Sequence, residues 1–216
     1  RKAVSLNADM KISKTPKNIE FNSKGTQFIH NNYRYVIPLF GFHQARNASL
    51  AIDVINKIDP NIKSEAINRA LGKVFWPGRM QKVGYNIFYD VSHNENGLKE
   101  TLQTLKELYP NQNLHGLMCL KKDKNVDSLK ELISENFKSL ILSGDKNELL
   151  SKSGVLEKKL SGLQIQCKSV SSLDTGLVII KNIVKNSSSI GLIFGSHYVA
   201  NEVFDSFEIS FDNYYI

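Results

Sequence analysis

After Gln81 the chain settles into a rhythm that few folds can satisfy: short apolar runs alternate with amphipathic helical segments. Ile87 to Tyr89, Leu117 to Leu120, Leu140 to Leu142, Leu163 to Val170 and Ile190 to Phe194 read as strands. Between them, Leu98, Thr101, Leu102, Leu105 and Leu108 fall on one helical face, and Leu173, Leu177, Ile180 and Val184 on another. Strands with apolar residues at successive positions must be covered on both faces, and single helices between strands supply that cover. The expectation is a doubly wound α/β domain built on a mostly parallel sheet. In such sheets ligands gather outside the carboxyl ends of the strands. The first and last strands here end in "DVSHN" and "GSHY", so those two loops are the prime candidates for a site.

Before Gln81 the pattern is different. From Asn18 to Leu39 apolar residues alternate (Ile19, Phe21, then Phe28, Ile29, then Tyr33, Tyr35, Ile37), punctuated by Ser23-Lys24-Gly25 and Asn31-Asn32. This predicts strands joined by tight turns. Helical spacing starts at His43, with Ala48, Ala51, Ile52, Ile55 and Ile58 on one face and Asp59-Pro60 as the stop. A second helix is expected from about Ile62 to Leu71. Pro77-Gly78 in "WPGRMQ" breaks any helix, so the domain boundary is placed there, dividing the chain into 1–80 and 81–216.

At 216 residues and 24.4 kDa the chain has length for one generous domain, or for one domain and a piece of another. No apolar run approaches the ~20 residues of a membrane helix, so no membrane partner is expected. The charge of +7 suits either a lysine-rich solvated surface or anionic partners such as nucleotides and acidic metabolites. Cys119 and Cys167 lie in strand-like segments without metal-ligand spacing, and both are expected to be reduced core residues of a cytoplasmic protein. Opening on Arg1 without a signal-peptide pattern, the chain is expected to have been cut or made as a fragment.

Several residues could carry chemistry. Asp90 ends a strand, where a carboxylate can accept hydrogen bonds from ligand hydroxyls or an ammonium group. His93, three residues on, could hold a carboxylate if protonated, or bond the backbone. Ser92 and Glu95 have capping-box spacing, which explains much of the stretch as a helix start. Arg79 follows a rigid Pro-Gly turn and suits phosphate oxygens, although an isolated arginine is more often a surface charge. Asn47, on the polar side of the helix in "GFHQARNASLAI", could meet an adenine edge or a backbone turn. Ser196 stands at a glycine turn, as a carboxylate ligand or a helix cap. The run Lys121 to Asn125 reads as a solvated charge cluster. No P-loop, acidic Mg²⁺ cluster, nucleophile elbow, zinc spacing or dinucleotide fingerprint occurs, so the chain alone is poorly equipped to hydrolyse ATP.

Taken in order, "GFHQARNASLAI", "WPGRMQ" followed about ten residues later by "DVSHN", and "FGSHYVANEVF" resemble the C-terminal half of the dihydrofolate synthase/folylpolyglutamate synthases, of the Mur ligase superfamily. The resemblance runs from roughly residue 20 to residue 206. It implies a Rossmann-like C-terminal domain over 81–216, preceded in 1–80 by the strand and helix tail of an ATPase domain. In that family ATP phosphorylates the carboxylate of dihydropteroate or a folate, and the amine of L-glutamate attacks the acyl phosphate. By resemblance Asn47, Arg79 and Asp90 contact ATP, and His93 and Ser196 hold glutamate. No catalytic residue and no metal ligand is expected in this stretch. The P-loop and the Mg²⁺ ligands would lie before Arg1, so these residues are expected to be inactive alone. A monomer without a nucleic-acid partner is expected.

Two rivals remain at this point. Another Mur-type ligase, acting on a peptidoglycan precursor, would share the fold and the nucleotide contacts. The "HQ" before Asn47 and "PGRMQ" before "DVSHN" favour the folate branch. A non-catalytic basic α/β module is also compatible with the charge, but aromatic and basic residues do not interleave as base-stacking surfaces require.

Overall fold

The computed structural model describes residues 10–22, 24–144 and 149–210. The chain divides into two compact units, Arg1–Val74 and Phe75–Ile216, so that "WPGRMQ" lies wholly in the second.

The first unit is an antiparallel meander of β1 (Lys17–Asn22), β2 (Gly25–His30) and β3 (Tyr33–Ile37), followed by helices α1 (Phe42–Ile58) and α2 (Ser64–Leu71). Asn31 and Asn32 both adopt positive φ, 47° and 63°, and join His30 to its partner Tyr33. Two successive left-handed residues match the right-handed twist of the flanking strands, which is why asparagine recurs in such turns. Helix α1 packs on β2 and α2 on β3. Their shared core is Phe28, Tyr35, Ile37, Ala45, Ala48, Ile52 and Ile67. The expected helical stripe is shifted: Ala48 and Ile52 are buried and Ile55 packs against the core, but Ala51 and Ile58 are exposed, and Gln44, Ala45 and Ser49 are buried in their place. Small residues at 45, 48 and 49 let the helix approach the sheet closely, and that contact outweighs the burial of Ile58.

The second unit carries a six-stranded sheet. In chain order it contains β4 (Gln81–Gly84), β5 (Ile87–Asp90), α3 (Glu95–Leu108), β6 (Asn113–Met118), α4 (Lys130–Asn136) and β7 (Ser139–Leu142). Then come α5 (Ser153–Leu160), β8 (Gln166–Ser169), α6 (Leu173–Lys185), β9 (Ser189–Phe194) and α7 (Ala200–Ser206). The strand order is β4-β5-β9-β6-β7-β8. Five strands are parallel, and β4 runs antiparallel on the edge against β5. Tyr89, Val83, Leu117, Ile193, Leu177, Ile180, Val203 and Phe204 form a buried cluster with α6 and α7 on one face. On strand positions of opposite parity, Phe88 meets Tyr109 beyond α3, and Phe194 stacks on Phe137 beyond α4. The sheet is therefore covered on both sides, as the near-continuous apolar strands require.

Strand β9 is inserted between β5 and β6, although it comes last in the chain. This places the topological switch at the centre of the sheet. Asp90, Phe194, Met118, Leu142 and Ser169 are partners along one rung, so all five parallel strands stop at the same level. The loops that leave them share one edge.

Three sequence expectations need correction. The strand expected over Leu163 to Val170 is only Gln166–Ser169, an edge strand whose residues alternate between exposed and half-buried. Cys167 lies on it, half-buried, and is not a core residue; Cys119 is fully buried. Helix α3 is capped by Asn94, which accepts a hydrogen bond from the Gly97 amide at 2.9 Å, not by a Ser92–Glu95 box. Val91 to His93 form a connection that is neither strand nor helix, so the first helical residue falls later than the spacing suggested.

Candidate functional site

The edge begins at the turn that carries Arg79. Gly78 has φ 69° and Met80 φ 46°, so Arg79 stands between two left-handed residues. A Cβ on Gly78 would lie 2.7 Å from Val91 Cγ1 and 3.2 Å from Tyr89 Cε1, which reserves the position for glycine. Met80 has a side chain in a conformation that costs about 1–2 kcal/mol. The turn is held by the Val91 amide donating to the Gly78 carbonyl at 2.9 Å, and by the Gly78 amide donating to Gln81 Oε1 at 2.9 Å. A third bond runs from the Met80 amide to Asp90 Oδ2 at 2.8 Å. Hydrogen bonds to a carboxylate contribute about 1.5–3 kcal/mol, enough to offset the strain at Met80, whose side chain is buried. The Arg79 guanidinium is exposed and has no ion-pair partner among the described residues.

Asp90 lies 3% exposed at the end of β5. Its second oxygen, Oδ1, accepts from the Ser92 amide at 2.8 Å. Both oxygens thus hold backbone, one on each side of the strand end. Beside them, Ser92 Oγ and Gln81 Nε2 are buried without a hydrogen-bond partner among the described residues. His93 is half-buried, with Nδ1 3.0 Å from the Val91 carbonyl. A carbonyl can only accept, so Nδ1 carries the proton, leaving Nε2 as an acceptor in the neutral ring and a donor in the imidazolium.

The neighbouring strand ends in a tight contact. Gly195, φ 109°, follows β9, and a Cβ there would lie 2.6 Å from the Cys119 carbonyl oxygen. Ser196 is buried; its Oγ accepts from the Tyr198 amide at 3.1 Å, which leaves its own O–H to donate. Its carbonyl accepts from the Tyr89 hydroxyl at 2.8 Å. Burial, and then the nearby Cys119, Asp90 and Glu202, push the Tyr89 phenol well above its ordinary range, so it remains a donor. Ser196 does not cap α7, whose N-cap is Val199. The exposed rings of His197 and Tyr198 lie 4.2 Å apart, and Lys121 Nζ sits 5.9 Å above Tyr198. Lys121 and Lys124 both pair with Asp123, in agreement with a solvated charge cluster.

In the first unit, Asn47 is exposed on α1 and its amide donates to Gln44 Oε1 at 3.5 Å. The loop before α1 is fixed by Thr26, whose hydroxyl donates to the Leu39 carbonyl and accepts from the Gly41 amide. Among the described residues no group of three or more His, Cys, Asp or Glu could hold a metal ion, so no metal is assigned to them. No helix among them is long and apolar enough to cross a membrane.

The fold brings the turn bearing Arg79, Asp90 at the end of β5, and His93 and Ser196 in the loops after β5 and β9 to one edge of the second unit, because β5 and β9 are neighbours and the Met80 amide is bonded to Asp90. Sequence reasoning missed Tyr89, Met80 and Gln81 as the groups that hold this edge. Tyr89 was legible only as a strand residue, and a left-handed methionine has no sequence signature.

No family model matches the chain. Among curated proteins it is similar to the "Probable bifunctional folylpolyglutamate synthase/dihydropteroate synthase" of Haloferax volcanii, 34% identical over 122 residues, covering 53% of this chain and 14% of that protein. It is also similar to the dihydrofolate synthase/folylpolyglutamate synthase of Bacillus subtilis, 30% identical over 115 residues, covering 50% of this chain and 26% of that protein. Among solved structures, the Mycobacterium tuberculosis folylpolyglutamate synthase complexed with ADP and AMPPCP superposes with a TM-score of 0.88 at 19% identity. That superposition covers 97% of this chain and 52% of the other, so the chain spans about half the length of the enzyme whose fold it shares. The curated homologues and the structural neighbours of this chain are folylpolyglutamate and dihydrofolate synthases.

Proposed function

We propose that the chain is part of an ATP-dependent ligase that joins L-glutamate to dihydropteroate or a folate through an acyl phosphate. ATP transfers its γ-phosphoryl group to the acceptor carboxylate, and the glutamate amine displaces phosphate to form the amide. This chain supplies the C-terminal wall of the ATP and glutamate site. Residues 81–216 act as the Mur ligase C-terminal domain, and 1–80 as the end of an ATPase domain whose remainder carries the P-loop and the Mg²⁺ ligands.

The observation that carries the reading is the unpaired guanidinium of Arg79, raised on a braced turn at the carboxyl edge of a switch-point sheet. A fixed, unpaired arginine is suited to bidentate contact with phosphate oxygens. The ADP and AMPPCP complexes of the M. tuberculosis neighbour support a nucleotide on this fold. Asn47 contributes a nucleotide contact from α1, and Asp90 belongs to the same nucleotide-facing group as Arg79. For glutamate, His93 as imidazolium and the Ser196 hydroxyl offer two donors from adjacent strands, matched to carboxylate oxygens.

The test is ADP release by the chain joined to its P-loop domain, dependent on both glutamate and dihydropteroate or folate. Replacing Arg79 by Ala should raise the KM for ATP about tenfold to a hundredfold, the loss of a charged hydrogen-bonding group of about 1.5–3 kcal/mol, without lowering the melting temperature. An unchanged KM removes Arg79 from the site. Turnover of a peptidoglycan precursor in place of a folate would transfer the chain to another Mur-type ligase. Glutamate-dependent ADP release by these 216 residues alone would refute the proposal that they require the P-loop domain.

A further inference from the structure

We infer that the face of α1 turned away from β2 is a docking seam for the part of the ATPase domain that carries the P-loop. The inference rests on the ligase reading above and names the surface through which that partner attaches. Helix α1 carries two apolar stripes. One packs on β2 through Ala45, Ala48 and Ile52. The other holds Leu50, Ala51, Val54 and Ile58, which follow Asn47 at i+3, i+4, i+7 and i+11 and so share a face with it. All of these are exposed, Leu50 by 54%, Val54 by 49% and Ile58 by 79%. A helix that is apolar on two sides belongs between two layers, and the described residues of the first unit supply only one.

A groove of 430 Å³ runs beside the second stripe, between α1 and residues 11–14, with Leu50 and Val54 in its wall. The groove is preformed: Ser13 Oγ donates to Asp53 Oδ2 at 2.5 Å, and Asp53 Oδ1 is bonded to His30 and Asn31 at 2.8 and 2.9 Å. Lys11, Lys14 and Lys57 also line it, while Asp53 is engaged by those three donors. The surface that fits is therefore apolar opposite Leu50 and Val54, with carboxylates opposite the lysines. The M. tuberculosis neighbour shares its fold with 97% of this chain, yet the superposition takes up only 52% of that enzyme. A remainder of that size is ample to cover the stripe. Asn47 opens the same stripe, so the docking that buries Val54 and Ile58 also brings Asn47 to the nucleotide.

The test is cysteine accessibility in the chain joined to its P-loop domain, with Cys167→Ser removing the half-buried native thiol. Leu50→Cys, Val54→Cys and Ile58→Cys should each react with a maleimide about tenfold or more slower than Gly162→Cys, whose Cβ enters open space. Equal rates would overturn the inference. Protection that disappears on dilution would assign the face to a second copy of the chain, and would also overturn it. Val54→Asp should lower glutamate-dependent ADP release about tenfold or more, because it sets an unpaired charge in the seam, and Val54→Ile should retain it. Undiminished release in Val54→Asp would count against the seam in the same way. If the unaltered protein releases no ADP, the ligase reading fails, and the labelling rates still decide whether the stripe is covered.

Discussion

Replacing Gly195 by Ala tests the packing that closes the centre of the sheet. The new Cβ would lie 2.6 Å from the Cys119 carbonyl oxygen and 3.0 Å from its carbon. Both are backbone atoms, and the same segment is bonded to β9 through the Cys119 amide and the Phe194 carbonyl at 2.9 Å. No side chain can swing away, so one strand end must move. At φ 109° an alanine also carries backbone strain of about 1–3 kcal/mol. Weakening the neighbouring ladder bond adds about 1 kcal/mol, for a total of about 2–4 kcal/mol. For a protein of this size each kcal/mol lowers the melting temperature by about 2–4 °C, so a fall of about 10 °C is expected in a calorimetric scan. Gly162→Ala is the control, since a Cβ there meets nothing within 4 Å. A melting temperature within about 2 °C of the unaltered protein would refute the argument, because it would mean that β9 and β6 do not approach as closely as the backbone indicates.

Tyr89→Phe removes the hydroxyl that donates to the Ser196 carbonyl; a loss of about 1 kcal/mol should appear in urea unfolding, with faster amide exchange at Ser196. Asp53 accepts from Ser13, His30 and Asn31. Desolvation raises its pKa, but these hydrogen bonds outweigh it and hold the carboxyl below its ordinary value of 3.8. Its contribution to stability is therefore complete above that value and is lost as pH falls through the lower folded value. Urea midpoints between pH 2 and 5 should decline more in the unaltered protein than in Asp53→Asn, and parallel curves would refute the assignment. In native protein a thiol reagent should label Cys167 alone, and slowly, because burial and then Glu157 raise its pKa; Cys119 should react only after unfolding.

The central strands were legible because β5, β7 and β9 are buried along their whole length or nearly so, and such strands read as unbroken apolar runs. β4 escaped notice because only Val83 among its four residues is buried, and Lys82 and Gly84 interrupt any run. Its place on the edge, antiparallel to β5, is set by tertiary pairing with no local signal. The asparagine turn at Asn31-Asn32 was legible because its chemistry is local. The buried stripe of α1 was legible only in part: Ala48 and Ile52 stand out by spacing, but the polar Gln44 and Ser49 and the small Ala45 give no signal beside Ile58. At the candidate site, strand-end placement predicted which loops converge. What Asp90 does there depends on a hydrogen bond across ten residues to a left-handed methionine, which no periodicity encodes.

The central claim, that the turn bearing Arg79 and the end of β5 face a nucleotide, is tested most directly by adding ATP to ¹⁵N-labelled protein and following amide shifts together with the Arg79 side-chain Nε–H. The account predicts saturable changes concentrated at Gly78 to Gln81 and Asp90 to His93, with the Arg79 Nε–H among the largest. No change at millimolar ATP, or changes confined to other parts of the sheet, would contradict it.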